Sequence, residues 1–135
     1  MSRTFEQDYI YGKQGENEII NIINNYFKDN IKIISNSKSI YDFEGDNNIY
    51  ELKTRTNNYN KYSTTLLGYN KVIETKKKQF FIFNFTDGLY YIEYNKDLFD
   101  TFEKKQYVRN ARSDYNDTLK LYLFIPINKL IKIIY

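Results

Sequence analysis

Three charged residues carry the chemistry open to this chain: Asp42, Glu51 nine positions on, and Lys53 two beyond it. Cleaving a phosphodiester requires a neutralised phosphate, a hydroxide-like nucleophile near neutral pH and a stabilised leaving oxyanion. Two carboxylates that hold a divalent cation against the phosphate serve the first need and can serve the third. A lysine beside the attacking water can orient it and stabilise negative charge as it develops. The backbone carbonyl of Leu52 could complete the cation's oxygen shell. An ordinary cross-strand charged group on a solvated face uses the same residue types, so the surrounding chain has to separate the two readings.

Composition narrows the chemistry. The 135 residues include no Cys and no His, which removes thiol nucleophiles, disulfides, zinc sites of the usual ligands and imidazole bases. Hydrolysis must then rest on carboxylates, Lys, Ser, Thr, Tyr or an oxygen-liganded cation such as Mg2+, with Mn2+ as its substitute. The length fits one domain over residues 1–135. No apolar run nears the ~20 residues needed to span a membrane, and no charged leader precedes an apolar block. The expectation is an intracellular, cytoplasmic protein with no membrane partner. Asn, Ile, Lys and Tyr supply 66 of the 135 residues, the bias of an AT-rich coding genome such as a virus or phage carries, so individual Asn and Tyr residues weigh little.

Charge is unevenly placed. The net charge is +3, yet residues 53–78 hold seven cations against Glu74 alone. A basic stretch beside carboxylates suits a polyanionic partner; a solvated Lys-rich helix face accounts for it equally well.

The elements that must position these residues follow from periodicity. Residues 13–28 read as an amphipathic helix with Ile19, Ile20, Ile22, Ile23, Tyr26 and Phe27 on one face. At about 100° per residue, Glu16 falls roughly 35° from the centre of that face and Glu18 about 125° away. Glu16 is then either a first-turn residue favoured by the helix dipole or part of a site. Residues 31–35, 37–43 and 49–54 read as three strands, the last two joined by the polar turn 44–48. Alternation puts Glu51 and Lys53 on one face and Tyr50 and Leu52 on the other, and Asp42 can join the charged face from the paired strand. Residues 55–68 read as a donor-rich surface loop and 69–78 as a short basic helix with Val72 and Ile73 inward. A hairpin follows, 79–85 and 89–94 around Thr86-Asp87-Gly88. Residues 96–106 read as a short helix, 107–117 as a polar segment, 119–125 as a strand closed by Pro126, and 128–134 as a short helix or final strand.

At Tyr41-Asp42-Phe43 and Glu51-Leu52-Lys53 the sequence resembles the PD-(D/E)xK superfamily, the restriction-endonuclease-like nucleases. The stretch Gly12-Lys13-Gln14-Gly15-Glu16 is similar to the helix-borne Glu of many members. The likeness spans about residues 12–94 and follows the family's order of elements; Tyr41 stands where a Pro often precedes the first acid. It implies an α/β fold with an αβββαβ core, a mixed central sheet flanked by helices. It further implies a Mg2+-dependent DNA endonuclease in which Asp42 and Glu51 bind the metal, Lys53 acts in catalysis and Glu16 adds a direct or outer ligand. Junction or branched-DNA resolvases and inactive DNA-binding modules share the fold, and small members often act as dimers, which leaves a homodimer open.

DNA contacts are expected from Arg55, Lys61, Lys71 and Lys76 in the basic stretch. Tyr59 and Tyr62, inside the same loop, are expected to stack on bases or touch phosphate. Arg109 and Arg112 are either phosphate contacts or rim charges. The strand aromatics Phe80, Phe81, Phe83, Phe85, Tyr90 and Tyr91 read as core.

Overall fold

The computed structural model describes residues 17–34, 41–73, 75–107 and 120–135. A helix over residues 17–27 (α1) buries Ile19 and Ile23 one turn apart, with Ile20, Ile22, Tyr26 and Phe27 packed around them. It stops at Lys28, whose φ of 53° is left-handed while its N–H still donates to the Asn24 carbonyl at 2.9 Å. Asn24 Oδ1 accepts from the Ile31 N–H at 2.8 Å, which ties the helix exit to the first strand.

Among the described residues the strands are β1 (Lys32–Ile33), β2 (Phe43–Glu44), β3 (Asn48–Thr54), β4 (Thr64–Gly68), β5 (Lys78–Phe85), β6 (Gly88–Glu93), β7 (Glu103–Tyr107), β8 (Lys120–Pro126) and β9 (Ile131–Lys132), with a short helix α2 (Lys96–Asp100) after β6. They form a six-stranded sheet in the order β1-β2-β3-β5-β6-β9 and a three-stranded sheet in the order β4-β8-β7. Every pairing is antiparallel except β3 with β5, which is parallel. The protein is thus a mixed α/β chain with a mixed main sheet.

The β2–β3 turn is held from inside. Asp29, only 7% exposed, accepts at Oδ1 from the Asp46 N–H at 2.9 Å and the Asn47 N–H at 3.3 Å. Its Oδ2 accepts from the Tyr50 hydroxyl at 3.1 Å. A Cβ on Gly45 would stand 1.9 Å from that same Oδ2, so the turn approaches Asp29 only because residue 45 has no side chain. This lock sets Phe43 opposite Tyr50, and the Asp42 N–H, one residue back, donates to the carbonyl of that same Tyr50 at 2.9 Å.

The two faces of the main sheet are covered differently. On one, α1 meets Phe43, Tyr50, Phe80, Ile82, Leu89 and Ile133. On the other, Phe81, Phe83, Phe85 and Ile92 pack with Leu67, Leu123 and Ile125 of the second sheet and with Phe99 of α2. The expectation of helices flanking the sheet is corrected here: the second layer is mostly sheet. Among the described residues of 69–78 the expected α-helix is absent. A 3₁₀ turn, Tyr69–Lys71, gives way to extended Val72 and, from Lys78, to β5. The physical reason lies in the buried side chain of Gln79, whose Nε2 donates to the Lys71 carbonyl at 2.6 Å and whose Oε1 accepts from the Ile73 N–H at 3.4 Å. Those backbone groups find partners outside any helical ladder, and β-branched Val72, Ile73 and Thr75 favour the extended form.

Two more expectations change. The loop read over 55–68 ends in β4, which pairs with β8 and buries Thr65 and Leu67. The helix read over 96–106 is only α2, capped by Asn95 at the Leu98 N–H, 3.0 Å, before β7 begins. The final apolar stretch forms a 3₁₀ turn, Ile127–Lys129, and the short strand β9. Residues 37–40 of the second expected strand and most of the polar segment 107–117 lie outside the described residues. Among the described residues no helix is long and apolar enough to cross a membrane.

Candidate active site

Asp42 stands one residue before β2 and is held by the backbone on both sides. Its N–H donates to the Tyr50 carbonyl at 2.9 Å and its carbonyl accepts from the Ile34 N–H at 2.9 Å. Its side chain then reaches across to β3, where Oδ2 accepts from the Leu52 N–H at 2.7 Å. Amide and carbonyl of one strand residue point to the same side of the strand. The Leu52 carbonyl is therefore directed away from β5, toward the side where the Asp42 carboxylate stands.

Glu51 occupies the middle of β3, opposite Phe81 of β5, and is 4% exposed. A carboxylate in such surroundings needs charged partners. Lys53, two residues along the same face, puts Nζ 3.0 Å from Glu51 Oε1. Lys71, at the end of the 3₁₀ turn, puts its own Nζ 3.3 Å from the same oxygen. Even so the Glu51 carboxyl titrates above its ordinary range. Burial is the main cause and the negative charge of Asp42 the second; the two lysines oppose them. Two carboxylates near enough for one to act on the other, a strand carbonyl directed to the same side and no softer ligand form a hard-oxygen donor set, and that set fits a cation such as Mg2+.

Asp42, Glu51, Lys53 and Lys71 are thus gathered at one place, with the Leu52 backbone beside them. The other expected contacts scatter. Arg55 Nε donates to Thr65 Oγ1 at 3.2 Å, its Nη2 donates to the Leu66 carbonyl, and its Cζ lies 5.6 Å from the Phe83 ring centre; it ties the end of β3 to β4. Tyr59 stacks on Tyr90 at 4.0 Å and donates its hydroxyl to the Ile127 carbonyl at 2.7 Å, so its ring serves the core and not a base. Tyr62 is 57% exposed, with Lys61 Nζ 5.5 Å from its ring centre. Lys76 is exposed on the far side of the Lys71 segment. Glu16, Arg109 and Arg112 lie outside the described residues.

Sequence reading missed Gln79, which holds the Lys71 carbonyl and so aims the lysine at Glu51. Its signal was present: a lone polar residue on the strand face it shares with Phe81, Phe83 and Phe85, and a buried amide requires partners. No protein-family model, curated protein or solved structure matches the chain at a significant level.

Proposed function

We propose that this chain is a metal-dependent DNA nuclease of the PD-(D/E)xK kind, with Asp42, Glu51 and Lys53 at its centre. The observation that carries the reading is a buried Glu51 with Lys53 Nζ 3.0 Å from it, and beside it Asp42, whose carboxylate is held by the Leu52 N–H at 2.7 Å and whose charge acts on Glu51. The strand order around them supports it: β1, β2 and β3 run as antiparallel neighbours, and β5 returns parallel to β3.

When bound, Mg2+ supplies positive charge to the phosphate and makes hydroxide available near neutral pH. Asp42 and Glu51 would hold it, with the Leu52 carbonyl as a third oxygen. The Leu52 N–H already fixes the Asp42 carboxylate, so that ligand is in place before the cation arrives. Lys53 and Lys71, each about a quarter exposed, keep a solvent-facing side from which an ammonium can meet the attacking water or a phosphate oxygen.

The Lys53–Glu51–Lys71 cluster also favours a second reading. Two ammonium groups on one carboxylate neutralise it without metal, as suits a DNA-binding module that does not cut. Nicking of supercoiled plasmid DNA in Mg2+ or Mn2+ separates the two. The nuclease reading expects Glu51→Ala and Lys53→Ala to lower the rate by about a hundredfold or more; variants that cut like the parent overturn this site. Binding without cutting, on linear, single-stranded and four-way DNA alike, favours the module.

A further inference from the structure

Beyond Lys53 the molecule opens into a groove of about 810 Å3, between the end of β3 and the outer face of the second sheet. Its floor comes from strand alternation: Leu66 of β4 faces Phe124 of β8, and Gly68 faces Tyr122, while Leu67 and Leu123 point into the core. Tyr62 stands at its rim. Among the described residues none that lines it is acidic, and Lys53 and Arg55 are part of its wall. Cations also flank two of its rings, Lys61 at 5.5 Å from the centre of Tyr62 and Lys105 at 5.6 Å from that of Phe124.

We propose that this groove seats an unpaired stretch of DNA, its bases stacked on Tyr62, Tyr122 and Phe124 and its backbone leading past Lys53 to the carboxylates. Partly open rings with cations beside them are what single strands require, because every base offers a π-face and every linkage a charge. A duplex keeps its bases stacked on each other and has no use for ring platforms. The proposal rests on the nuclease reading for the direction of the strand, though not for the groove itself.

Fluorescence anisotropy on the intact chain, without divalent cation, tests it. The probes are a fluorescein-labelled mixed-sequence single-stranded DNA and the blunt duplex of the same sequence. Single strand is expected to bind several-fold more tightly, and Tyr62→Ala, at an exposed position that folding does not need, to weaken it roughly tenfold while leaving duplex affinity unchanged. Phe124→Leu should do the same on the groove floor. Equal affinity for the two probes, no binding of either, or a Tyr62→Ala protein that holds single strand like the parent overturns the proposal. The two readings fail separately. Single-strand preference through Tyr62 with no cutting in Mg2+ sinks the nuclease reading and keeps the groove. Glu51-dependent cutting of duplex with no single-strand preference does the reverse.

Discussion

On β3, Tyr50 and Leu52 pack with α1, while Glu51 and Lys53, their immediate neighbours, face the second sheet. Both faces hold polar groups out of water, but they satisfy them differently. The Tyr50 hydroxyl donates to Asp29 and accepts from Asn48 Nδ2 at 2.8 Å, its ring stacks on Phe80 at 5.5 Å, and burial pushes its ionisation well above the usual range. Asp29, Asn48 and Phe80 are buried as well. Glu51 is buried too, yet its partners are lysines with solvent-facing sides, and the negative charge of Asp42 acts on it as well. The closed face stabilises the fold, and the charged face keeps an electrostatic demand that a ligand can meet.

Substitutions on the two faces should therefore fail in different ways. Tyr50→Ala is expected to cost about 3–5 kcal/mol in denaturant unfolding, since it removes a fully buried ring and strands Asp29. Glu51→Gln, one residue on, is expected to leave unfolding at neutral pH within about 1 kcal/mol of the parent while cutting falls by about a hundredfold. An unfolded Glu51→Gln protein would erase the contrast between the faces. Gln79→Ala should cost about 1–3 kcal/mol by leaving the Lys71 carbonyl and Ile73 N–H without their partner. It should also slow cutting about as much as Lys71→Ala does, with little added effect in the double variant; full additivity would show that Gln79 does not act through Lys71.

The smallest expected effect is a pH slope. Because the Glu51 carboxyl is raised above its ordinary 4.5, the folded protein keeps a proton that the unfolded chain has released. Its contribution to stability is full below about pH 4.5 and is lost as pH rises through the folded value. Unfolding of the parent, compared with Glu51→Gln across that window, should show the parent losing ground as pH rises. A parent that gains instead would mean that the lysines outweigh burial.

The contrast between the faces was legible in the sequence because strand alternation is strict: Tyr50 and Leu52 separate from Glu51 and Lys53 whatever the partner strands are. The α1 stripe and the 79–94 hairpin were legible for the same reason, each repeating its period over several residues. What failed to show was decided at a distance. In β4, Thr65 turns inward and Leu66 outward, so hydropathy hides the alternation, and only pairing with β8 makes it a strand. Lys71 was readable as a basic helix residue until Gln79 took its carbonyl. Tyr59 sits in a polar loop and still belongs to the core, because Tyr90 lies beneath it.

The central claim is that Asp42 and Glu51 share a cation, and a crystal structure of the protein soaked in Mn2+ tests it most directly. The account predicts an anomalous peak between the two carboxylates, within bonding distance of the Leu52 carbonyl, with Lys53 displaced from Glu51 toward solvent. Glu51 still held by both lysines, with no manganese between the two carboxylates, would contradict it.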